Sequence, residues 1–101
     1  MVTLDTLDQV ESLHRTDFYR VITGGEDPDF GIGVTEVHPF KERVIKNKEK
    51  IMKAIKLFEK RHGNIGYYKT HIKEAKEAYK ENNYKAFQES VGNILVDIIN
   101  D

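Results

Sequence analysis

A chain of 101 residues without cysteine holds enough material for one domain with one core, and it excludes disulfides and thiolate metal ligands. With 39% apolar and 33% charged residues it has the composition of a folded protein, and no apolar run is long enough to span a bilayer. The net charge of −1 conceals a segregation: residues 1–40 hold eight acids and two bases, residues 41–80 thirteen bases and five acids, and residues 81–101 four acids and one base.

Two layouts follow from that segregation. Either the acidic flanks fold back onto the basic middle, or two surfaces of opposite sign face different partners. The acidic start lacks the basic and apolar regions of a signal peptide, so we expect a cytoplasmic protein forming a single compact domain over 1–101.

The first segment places Leu4, Leu7, Val10 and Leu13 at intervals of three, which predicts a short amphipathic helix ending near Arg15. Next come TDFYRVITGG and GIGVTEVH, dense in β-branched and aromatic residues and separated by a turn-rich stretch, which predict a β-hairpin. One face of that ribbon must pack on helices, either Phe18, Arg20 and Ile22 or Tyr19, Val21 and Thr23.

The stretch from Pro39 to His62 predicts a long helix. Advancing about 100° per residue puts Val44, Ile51, Ile55, Phe58 and His62 on one stripe, with Lys46, Lys50, Lys53, Lys56 and Lys60 opposite. Pro39 suits its first turn and Gly63 its C-terminal cap. A second basic helix follows, with Asn64 as N-cap, Tyr68, Ile72, Ala75 and Tyr79 inward and Lys69, Lys73, Lys76 and Lys80 on its surface. Asn82 in a left-handed conformation would end it, and Asn83 would cap the next helix, giving an αα-hairpin. Asn83, Tyr84 and Ala86 resemble the junction inside a tetratricopeptide unit, but no repeat of that period occurs elsewhere, so the likeness is one of helical-hairpin geometry.

The last helix, from Tyr84 to about Ile99, carries apolar residues over an arc of about 200°, wider than a surface helix needs. Such an arc is either wedged among the other elements or exposed to a second copy through Val91, Leu95, Ile98 and Ile99, a homodimer interface; the wedge is the favoured reading.

No catalytic motif emerges. Gly24 to Gly33 holds Glu26, Asp27 and Asp29, which would repel a phosphate, and read as a calcium loop it lacks a third ligand at Gly31 and a closing glutamate at His38. His14, His38, His62 and His71 form no pair at metal-ligand spacing within one helix, and Ser12 and Ser90 sit inside predicted helices. No metal, cofactor or catalytic residue is therefore assigned. Tyr67, Tyr68, Tyr79 and Tyr84 lie near lysines, a mixture that suits an RNA surface or a protein interface and that is also routine at a core edge, the reading preferred here.

The expected fold is thus α+β: a short N-terminal helix, a β-hairpin, two long basic helices and an apolar C-terminal helix. The expected function is that of a small non-enzymatic interaction protein, an inhibitor, adaptor or regulatory accessory factor of the phage or mobile-element kind. It would bind a protein partner through Glu26, Asp27 and Asp29 at a hairpin tip and through Lys46, Lys50, Lys53, Lys56 and Lys60. The alternative is a nucleic-acid binder contacting phosphates through that same lysine face.

Overall fold

Residues three apart eclipse one another in a 3-10 helix, whereas an α-helix needs apolar spacings of three and four. Leu4 and Leu7 are spaced by the first rule, and Val10 and Leu13 continue the spacing beyond the helix. In the computed structural model, which describes residues 3–23 and 40–100, Leu4–Gln9 is a 3-10 helix (η1) opened by the Thr3 N–H donating to Thr6 Oγ1 at 2.7 Å. The predicted helix thus stops at Gln9 rather than near Arg15, and Val10 is extended. Leu7 and Leu13 are both buried.

The segment predicted as the first β-strand is a helix, α1 (Arg15–Thr23). It buries Phe18, Tyr19, Val21 and Ile22, which mixes both faces of the expected ribbon in a helical pattern. Both ends of α1 are satisfied by distant side chains. The Arg15 N–H donates to His62 Nε2 at 3.1 Å, the Thr16 N–H to His14 Nδ1 at 3.2 Å, and Arg43 Nε donates to the Val21 carbonyl at 3.3 Å. End groups that a short isolated helix would leave to water are thereby paired within the fold. The second expected strand lies outside the described residues. Among the described residues there is no strand, and the α+β expectation gives way to an all-helical fold.

The helix predicted over 39–62 is interrupted. It forms as α2 (Phe40–Lys46) and α3 (Lys48–His62), with a turn at Asn47, whose backbone N–H and side-chain Nδ2 both donate to the Arg43 carbonyl, at 3.0 and 3.1 Å, while its own carbonyl accepts from the Ile51 N–H. Its apolar stripe is as expected: Val44, Ile51, Ile55, Phe58 and His62 are all buried. Gly63 is the C-cap of α3, as expected, in a right-handed conformation with φ −68° and with its N–H donating to the Glu59 carbonyl.

Helices α4 (Gly66–Lys80) and α5 (Tyr84–Asn100) form the most extensive helix pair. Asn64 does not cap α4, which opens at Ile65 instead. The α4–α5 turn is the one read from sequence. Asn82 has φ 59°, the Asn83 N–H reaches the Ala78 carbonyl and the Asn82 N–H the Tyr79 carbonyl, which is a Schellman arrangement; Asn83 Oδ1 then accepts from the Ala86 N–H at 3.3 Å as N-cap of α5.

One contiguous core draws on all six elements. Its centre is Phe58 of α3, whose ring lies 4.7 Å from Phe18 of α1 and 5.0 Å from Tyr68 of α4 in an edge-on contact. Helix α5 buries Phe87, Val91, Ile94, Leu95 and Ile98 against it, so the wide apolar arc is wedged inside the chain.

Candidate binding surface

The five lysines predicted on the 39–62 helix do not remain one free row. Asp5 and Asp8 of η1 fold back onto α3, where Lys50 Nζ meets Asp5 Oδ1 at 2.8 Å and Lys53 pairs with Asp8. Lys50 holds the Asp5 carboxyl below its usual range through the hydrogen bond first and through its charge second, with a smaller contribution from Arg43. Lys46, Lys56 and Lys60 stay exposed, without an ion-pair partner among the described residues. At Lys50 and Lys53 the acidic start of the chain therefore neutralises the basic middle.

Helix α4 restores the basic surface. Lys69, Lys73, Lys76 and Lys80 recur at intervals of four, three and four, which keeps them within about 60° around the helix. The pair between Lys76 and Glu59 fixes this stripe against α3. The turn at residues 63–65 joins α3 to α4, and the pair between Lys76 and Glu59 marks where their polar surfaces meet. The lysine seam of these two helices is thus Lys56 and Lys60 on α3 and Lys69, Lys73, Lys76 and Lys80 on α4, with Glu59 paired to Lys76 where the helices meet. The α4 row was visible in the sequence through its 4-3-4 spacing, yet only its junction with α3 makes it part of one surface.

The opposite flank of α4 has the reverse sign. Glu74, Glu77 and Glu81 lie about 100° round the helix from the lysine stripe. With Glu89 of α5, and with Ala78, Asn83, Ala86, Ser90 and Asn93, they line a cleft of about 280 Å³ between α4 and α5. One helix therefore separates a basic seam from an acidic cleft.

The remaining predicted positions are distributed as follows. Glu26, Asp27 and Asp29 lie outside the described residues. Val91, Leu95 and Ile98 are buried within the single chain, and Ile99 is partly buried against the core, so the surface expected to receive a second copy is taken up internally. His62 serves structure: its Nε2 accepts from the Arg15 N–H, and its ring packs on Phe58, Tyr68 and His14. His71 Nδ1 meets Asp97 Oδ2 at 2.5 Å and joins α4 to α5. Tyr68 is core, Tyr79 and Tyr84 are half-buried around Phe87, and Tyr67 is 44% exposed. Lys48 Nζ sits 5.1 Å above the Tyr84 ring.

Among the described residues no three His, Asp or Glu side chains converge as a metal site would require, and no helix is long and apolar enough to cross a membrane. No protein-family model, curated protein or solved structure matches the chain, so the functional reading rests on geometry.

Proposed function

We propose that the chain is a small non-enzymatic binding protein that docks on an acidic patch of a protein partner through the α3–α4 lysine seam. The observation that carries this reading is the row Lys69, Lys73, Lys76 and Lys80 along one face of α4, linked to α3 through the Lys76–Glu59 pair, with Lys56 and Lys60 exposed on α3. Lysines so placed, of which only Lys76 has an ion-pair partner among the described residues, create a local positive potential that favours an anionic partner.

Two features favour a compact acidic patch over a long polyanion. The acidic cleft lies on the far flank of α4, a helix about 10–12 Å across, which is comparable with the Debye length of about 8 Å at physiological salt. The whole molecule measures only 31 × 30 × 28 Å, so a duplex extending past the seam would meet carboxylates. The second reading, nucleic-acid binding, draws on the α4 row, which spans about 17 Å at 1.5 Å per residue. Neutralising about four phosphates would give a salt slope near −3.6.

Affinity capture from native host extract, with and without nuclease, tests both. We expect a protein partner to survive nuclease treatment, to wash off as salt rises, and to be lost with the Lys69→Glu, Lys73→Glu, Lys80→Glu triple variant. Capture indifferent to that variant would overturn the reading, and capture destroyed by nuclease would replace it with the second one.

A further inference from the structure

Asp5 and Asp8 stand three residues apart on η1, and Lys50 and Lys53 three apart on α3. A 3-10 helix completes a turn in three residues over about 6 Å, and three residues of α-helix rise about 4.5 Å. Two carboxylates and two ammonium groups are thus presented in line at nearly matching pitch, and both pairs form. Between the acids in sequence, Leu7 turns inward and is 2% exposed. Further along, the Leu13 N–H donates to the Leu57 carbonyl of α3 at 3.1 Å. The segment sits on α3 as a bound acidic peptide would, with charges outside and a leucine inserted.

The charged part of this contact is weak by construction. The side chains of Asp5 and Asp8 are 84% and 78% exposed, and such pairs are screened by salt and hold little. Its position matters more than its strength. With η1 lifted, Lys50 and Lys53 would join Lys56 and Lys60 in one row of about 15 Å along α3, continuous with the α4 stripe through Glu59 and Lys76.

We propose that η1 is a built-in competitor for this surface: the partner presents an acidic segment of the same chemistry, carboxylates three residues apart around an inward leucine, which displaces η1 from Lys50 and Lys53. The inference rests on the lysine-seam reading above and names the kind of partner segment that seam takes.

The probe is a fluorescein-labelled synthetic peptide copying residues 3–13, titrated by anisotropy at low salt into the full-length protein and into its Asp5→Asn, Asp8→Asn variant. The variant retains Leu7 and changes only exposed groups, and far-UV circular dichroism confirms its helicity. The peptide should bind the variant about 2–30-fold tighter than wild type, the range that loss of two exposed ion pairs allows. Adding Lys50→Glu and Lys53→Glu to the variant should abolish the gain. Equal affinity for both proteins, or binding by neither at millimolar peptide, overturns the competitor role. The lysine-seam reading would survive either result, because its own test turns on Lys69, Lys73 and Lys80.

Discussion

Gly63 and Gly66 stand three residues apart in the α3–α4 turn and make opposite demands. A Cβ on Gly63 would lie 2.5 Å from the Glu59 carbonyl oxygen and 2.8 Å from Glu59 Cγ, closer than real contacts allow, although its φ of −68° suits any residue. The glycine is required there for space. A Cβ on Gly66, the first residue of α4, would meet nothing within 4 Å. Urea denaturation should therefore find Gly63→Ala less stable by about 1–3 kcal/mol, and Gly66→Ala more stable by about 0.4–1 kcal/mol through the reduced freedom of its unfolded chain. Equal and small effects at both positions would contradict the packing of this turn.

At the scale of the element, η1 has a pH signature. Asp5 titrates below its usual value because of Lys50, so its ion pair favours the docked element above the unfolded-chain value of about 3.9; that contribution is lost as pH falls through the depressed native value. Methyl NMR of Leu7 should show a docked environment at pH 7. That environment should weaken as the solution is acidified below about pH 4, and in Asp5→Asn the Asp5 part of the response should be missing. A Leu7 signal that ignores both changes would mean that the leucine alone holds η1.

For the whole molecule, the fate of the apolar arc on α5 decides what a charge does there. Ile98 is 3% exposed in the single chain. Ile98→Glu would bury an uncompensated carboxylate in that core, a change that falls in the range of about 3–5 kcal/mol or more, a large share of the 5–15 kcal/mol that holds a typical domain. We expect circular dichroism and light scattering to show an unfolded or aggregated variant. A folded monomer obtained from a dimeric wild type would instead return α5 to the surface.

Much of this architecture was legible from local pattern. The stripe from Val44 to His62, the inward row Tyr68, Ile72 and Ala75, and the Asn82–Asn83 turn follow from 3.6-residue periodicity and from asparagine's tolerance of positive φ, which act over a few residues. The lysines of α3 and α4 were equally plain as surface. The repeat of threes from Leu4 to Leu13 marked which leucines turn inward but not where the helix stops, since η1 ends at Gln9 and Leu13 is buried beyond it. What local pattern could not supply was the state of residues 15–23, whose β-branched and aromatic content suits a strand. They are helical because His62, 47 residues from Arg15, accepts an N–H at one end of α1 and Arg43 donates to a carbonyl at the other, while Phe58 receives Phe18 between them. The same holds for the charges: only the fold sets Asp5 against Lys50 and Glu59 beside Lys76. Composition and periodicity determine which side of each helix is apolar or charged, because those preferences are local. Which partners meet is decided by tertiary packing, because end groups and opposite charges are satisfied by whatever the closed chain brings within reach.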